Sequence, residues 1–157
     1  MTAIARSHFR WTTFLVACLL LVGAVGCSGY REDKWSRQWP PRHPVRGRVA
    51  LKGEPVGGAV VTFVVRLPEG EGREFTAVGM TDGTGHFGLT TFRPGDGAVA
   101  GSHAIMIEKT SFKDGAFRNA LPQKYARRGT SGLTADVTDK GPNEFVFTLD
   151  DSGPGPK

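Results

Sequence analysis

From residue 45 to residue 149 the chain is a succession of short apolar runs, and Gly, Pro or Asp breaks nearly every one of them. "VRGRVAL" (45–51) alternates, with Val45, Gly47, Val49 and Leu51 in phase. "AVVTFVV" (59–65) is largely β-branched: Ala59, Val61, Phe63 and Val65 share one face, and Val60, Thr62 and Val64 share the other. "FTAVGMT" (75–81), "HFGLTTF" (86–92), "SHAIMIEK" (102–109), "LTADVT" (133–138) and "EFVFTL" (144–149) complete a set of seven. Within these, Phe87 and Leu89, then His103, Ile105 and Ile107, then Phe145, Phe147 and Leu149 recur at every second position. A side-chain period of two belongs to a strand, whose neighbours point to opposite faces. No run keeps the helical period beyond a turn or two near residues 121–127. Seven closely spaced strands without helices predict an all-β sandwich or barrel.

The connections carry their own chemistry. "DGTG" (82–85) predicts a tight turn in which Asp82 bonds its own backbone and Gly83 and Gly85 take positive φ. Three longer loops are expected, over 68–74, 93–101 and 110–132. The last holds Phe112, Lys113, Phe117, Arg118, Lys124, Tyr125, Arg127 and Arg128. Aromatic and basic residues together suit stacking on sugars and pairing with anionic polymers. Lys124, Tyr125, Arg127 and Arg128 are therefore the candidate ligand contacts. The other reading is that Phe112, Phe117 and Tyr125 pin the loop to the domain, and the sequence leaves both open.

Ahead of the domain, Arg6 and Arg10 precede an apolar stretch from Trp11 to Val22, followed by Gly23, Ala24, Val25 and Gly26. That order predicts a secretory signal-peptide helix over residues 1–26. The stretch is shorter than the ~20 residues a spanning helix needs; an uncleaved signal anchor is the alternative. "AVGC" resembles a bacterial lipobox, with Ala24 where Leu is usual. The resemblance implies that Cys27 is acylated and becomes the mature N-terminus, with each buried methylene contributing ~0.8 kcal/mol to anchoring. Residues 27–43 then form the lipidated cysteine and a tether containing Trp35, Trp39, several basic residues and Pro40-Pro41. It reads either as a stiff solvated spacer or as a contact with the membrane interface. The domain is expected over residues 44–150, and residues 151–157 lack an apolar anchor and are expected to be disordered. The implied address is export, with lipid anchoring to a bacterial membrane on its periplasmic or cell-surface side.

Cysteine usage agrees with that address. Cys18 leaves with the signal peptide, so an acylated Cys27 would be the mature chain's single cysteine. No internal disulfide and no cysteine metal site are expected. The chain carries +5, and loss of Arg6 and Arg10 leaves +3. That excess is modest. It fits an envelope polysaccharide, peptidoglycan, a protein or lipid headgroups, and not nucleic acid.

Longer blocks carry a second resemblance. Residues 47–63 read as a G-x-V strand, a G-x-P-V turn and an A-x-V-x-F strand. Residues 81–87 give T-D-x-x-G-x-F, 94–101 give P-G-D-G-A-x-x-G, 122–125 give P-x-K-Y, and 131–134 give S-G-L-T. In this order they resemble bacterial lipoproteins with a transthyretin-like, or carboxypeptidase regulatory-like, domain. The resemblance implies a seven-stranded Greek-key sandwich of transthyretin-like or immunoglobulin-like kind. It implies an envelope address and no established ligand. His103 departs from the family, which has tyrosine there.

Candidate chemistry is sparse. His8, His43, His86 and His103 have no close ligand spacing, so no metal is expected. Asp82 and Asp96 each stand as the single carboxylate of a Gly-rich turn, too few oxygens for calcium. No G-x-S-x-G occurs, and Ser102 and His103, adjacent on a strand, point to opposite faces. Transthyretin-fold hydroxyisourate hydrolases end in a tyrosine-arginine-glycine-serine segment, and this chain ends "EFVFTLDDSGPGPK". The expected function is a non-catalytic, lipid-anchored envelope protein presenting a binding or structural surface, with no cofactor. The alternative is a hydrolytic enzyme of unrecognised type on the same fold.

Overall fold

The computed structural model describes residues 39–67 and 72–151. The expected signal peptide, Cys27, the tether up to residue 38, residues 68–71 of one loop, and residues 152–157 lie outside the described residues. Among the described residues no helix is long and apolar enough to cross a membrane.

The domain is all-β. Its strands are β1 (Arg42–His43), β2 (Val45–Leu51), β3 (Glu54–Pro55), β4 (Val60–Arg66), β5 (Glu74–Met80) and β6 (His86–Gly88). They continue with β7 (Ala98–Val99), β8 (Gly101–Glu108), β9 (Thr110–Lys113), β10 (Ala116–Asn119), β11 (Leu133–Val137) and β12 (Asn143–Leu149). A 3₁₀ turn (Gln123–Ala126) and a one-turn helix α1 (Arg128–Ser131) precede β11.

Two sheets face each other. One runs β11–β8–β4–β5, antiparallel throughout. In the other, β2 lies parallel to β12, and its opposite edge is shared by β3 and β6. The period of two places the expected residues inside. Ala59, Val61 and Phe63 are fully buried, as are Ile105, Ile107 and Leu149. The ring of Phe63 on β4 meets rings from the facing sheet: Phe87 at 6.3 Å, Phe145 at 5.8 Å and Phe147 at 5.9 Å. Among the described residues every core residue falls between Val45 and Leu149, and Pro40–Lys157 is a compact unit by itself. Pairing of β2 with β12 closes that core by joining its first long strand to its last. A chain starting at Pro40 therefore keeps every described core residue and the pairing of β2 with β12.

Each of the seven predicted strands is present, and three details differ from expectation. The fourth is shorter, because the chain changes sheets. Leu89 N still bonds Val45 O, whereas Thr90 exchanges two hydrogen bonds with Val78 on β5. In the 82–85 turn only Gly85 takes positive φ, at 83°. Gly83 is not needed there, since the Asp82 carboxylate accepts from Thr84 N and His86 N. The largest difference concerns residues 110–132, expected as loop: β9 and β10 form a hairpin. Its turn is Asp114-Gly115, with φ of 52° and 77°. Positive φ at both central residues is the type I′ geometry that Asp-Gly favours.

Ordered pairing also begins earlier than residue 44. Arg42 and His43 pair with Val99 and Ala98, and Arg42 is tied to Asp96.

Candidate functional site

The structure brings the four candidate contact residues together but engages three of them internally. Tyr125 is buried, 4% exposed, and belongs to the core. Its hydroxyl donates to Asp150 Oδ1 at 3.2 Å and accepts from Asp150 N at 3.1 Å. Lys124 Nζ lies 2.7 Å from the same carboxylate and 4.7 Å from the Tyr125 ring centre. The hydrogen bond to Asp150 is the main reason the Lys124 ammonium is held above its usual pKa. Arg128 grips Glu74 with both ends of its guanidinium, at 2.9 Å each. That hydrogen-bonded pair lowers the Glu74 pKa and raises that of Arg128. Arg127 is exposed, in extended backbone between the 3₁₀ turn and α1. This segment therefore ties β5 to the end of β12, and Arg127 is its open charge. Of the three aromatics offered as pins, Tyr125 is one. Phe112 and Phe117 are not, being 67% and 76% exposed on the hairpin.

The two turn carboxylates are likewise occupied. Asp82 Oδ1 accepts from Thr84 Oγ1, Thr84 N and His86 N. The Thr84 hydrogen bond leads the interactions that depress its pKa. Asp96 accepts from Thr91, Phe92 and Arg93 amides and from Arg42 Nε. Among the described residues no three His, Cys, Asp or Glu side chains converge as metal ligands. His103 is 2% exposed. It lies 5.6 Å from the Phe63 ring, with Nδ1 2.9 Å from Gly101 O. Burial lowers its pKa, so it sits in the core as a neutral imidazole.

A groove of about 650 Å³ lies across β12, β2 and β6. Strand register sets its contents in two rows: Glu144 beside Arg46, and Val146 beside Arg48 beside His86. All five side chains are exposed, and Val146 is 74% so. Arg46 and Arg48 are two residues apart on one strand, so both point outward about 7 Å apart. Gly47 between them faces the other way. A Cβ there would strike Phe145 O and the Phe87 ring, so glycine lets Phe87 lie against the backbone beneath the arginines. Thr84 Oγ1 gives its one proton to Asp82, so the 2.9 Å contact to His86 is donated by Nδ1–H. Sequence reading passed over Arg46 and Arg48 because outward charges on a half-buried strand look like ordinary solvation. The i, i+2 spacing was the available signal.

No family model, curated protein or solved structure matches the chain.

Proposed function

We propose that the protein is an exported, lipid-anchored envelope protein whose domain is a non-catalytic binding module for an anionic envelope polymer, a polysaccharide or peptidoglycan. We take the domain as a seven-stranded Greek-key sandwich of the transthyretin-like kind, with β2, β4, β5, β6, β8, β11 and β12 as its seven strands; the sequence resemblance and the all-β sheets support that reading. The address rests on the order of charged, apolar and small residues ahead of Cys27 and on the lipobox resemblance of "AVGC".

The observation that carries the binding reading is the open groove with Arg46 and Arg48 side by side. An open groove in which two arginines outnumber the single carboxylate of Glu144 can attract an anionic chain. Val146 adds apolar lining. The non-catalytic reading is supported by what the polar groups already do: Asp82 and Asp96 organise turns, and His103 packs against Phe63.

The test is retention of envelope polymer by the purified chain from Trp39 to Asp151. Anionic polysaccharide or peptidoglycan should be retained at low salt and lost at high salt, because counterions screen exposed charges. Arg46→Ala with Arg48→Ala should lower retention at least fivefold. Arg127→Ala should change it less than twofold. Equal retention by the double variant and the parent would remove the groove from the reading.

A further inference from the structure

Phe112 and Phe117 form an aromatic surface that the proposed groove does not use. They are directly opposed in the hairpin, with ring centres 5.0 Å apart, so they share one of its faces. The period of two puts Ser111, Lys113 and Arg118 on the other face. Between Lys109 and Asn119 there are three basic residues and one acidic, Asp114. Among the described residues the hairpin pairs with no strand of either sheet. It continues from β8 past Glu108, which is level with Val60 and Met80 at the end of the sheet. Met80 there is 67% exposed.

We propose that the β9–β10 hairpin is a membrane-contact element, seating the Phe112–Phe117 pair in the interface of an anionic lipid bilayer with Lys113 and Arg118 at the headgroups. Phenylalanine gains from leaving water for the acyl boundary. Lysine and arginine keep their charge at the headgroups while their stems lie along apolar surface. Basic residues near an anionic leaflet add an attraction that salt screens. A second copy of the chain fits less well. Two phenylalanines offer roughly 300–500 Å², against the ~800 Å² per partner of a stable interface. A bilayer asks for no complementary shape.

Insertion of the hairpin does not depend on the anchor proposed above.

The experiment is vesicle co-sedimentation of the chain from Trp39 to Asp151, which has no acyl group. Vesicles are either phosphatidylcholine alone or phosphatidylcholine with phosphatidylglycerol. The parent should partition to the anionic vesicles. Phe112→Ala with Phe117→Ala should lower that partition at least tenfold while leaving the melting temperature within about 3 °C, since both rings are exposed. Lys113→Ala with Arg118→Ala should lower binding to anionic vesicles and not to neutral ones. Arg46→Ala with Arg48→Ala, which reads the groove, should leave the dependence on the two phenylalanines intact. Absence of vesicle binding by the parent, or equal binding by the Phe112/Phe117 variant, overturns the proposal. Dimerisation that those two substitutions abolish, without vesicle binding, also overturns it and assigns the rings to a second copy.

Discussion

Replacing Phe63 with Ala is expected to destabilise the domain by about 4 kcal/mol. Phe63 is fully buried at the middle of β4, between Ala77 on β5 and Ile105 on β8. Its ring stands within 6.3 Å of four others: Phe87, Phe145, Phe147 and His103. Three of these come from the facing sheet, so the truncation opens a cavity where the two sheets meet. Neither sheet can close it without moving paired strands, so the cost includes that of a cavity that stays open. In a domain of this size that corresponds to a melting temperature lower by roughly 15–20 °C. Phe63→Leu leaves a smaller void and should fall between variant and parent. Phe117→Ala removes the same ring from an exposed site and should cost no more than about 0.5 kcal/mol. Thermal or urea unfolding of the three variants checks the order. A Phe63→Ala domain as stable as the parent would mean the two sheets do not share this core.

The second large effect is expected at Asp96. Its carboxylate collects Thr91 N at 2.8 Å, Arg93 N at 3.1 Å, Phe92 N at 3.2 Å and Arg42 Nε at 3.2 Å. One side chain thus shapes the 91–97 loop and fastens it to β1, where Arg42 also lies 5.4 Å from the Phe92 ring centre. Asp96→Ala leaves these amide donors without that acceptor and should cost about 3 kcal/mol. Asp96→Asn keeps one acceptor oxygen and should cost less. Burial by itself would raise the Asp96 pKa, but the hydrogen bonds from Thr91, Arg93, Phe92 and Arg42 together outweigh it, and the folded value is lowered. The unfolded state therefore takes up a proton first as the pH falls. The stabilisation is complete above the ordinary aspartate value of 3.8 and is lost as the pH drops through the lower folded value. Unfolding free energies measured from pH 7 to pH 2 should show parent and Asp96→Ala far apart near neutrality and converging in acid. A difference that stays constant over that range would show that the charge of Asp96 contributes nothing.

Much of the scaffold was legible because burial on a strand is written with a period of two. Ala59, Val61 and Phe63, or His103, Ile105 and Ile107, announce an inward face without reference to any other strand. What escaped depended on partners far away in sequence. Residues 86–92 look like a strand to the end, but Thr90 leaves β2 for Val78 because β5 offers an open edge there. The hairpin at residues 110–119 was announced by Asp114-Gly115. It was obscured because its two phenylalanines lack the alternation of a core strand and face outward instead.

The candidate site divides along the same line. Lys124, Tyr125 and Arg128 stood out by composition, but their partners Asp150 and Glu74 lie 25 to 54 residues away. Only the closed fold shows that these side chains are engaged within the domain. Arg46 and Arg48 become a feature only when β12 and β6 flank them.

Both binding readings are set at a membrane, and that address is the central claim. Its most direct test is the intact mass and N-terminal peptide of the protein recovered from the membrane fraction of a bacterial host expressing the full chain. The account predicts a mature chain that begins at Cys27, heavier than its sequence by the mass of diacylglyceryl and acyl groups. It also predicts that Cys27→Ser abolishes that modification. An unmodified Cys27, or a chain still starting at Met1, would contradict the lipid anchor.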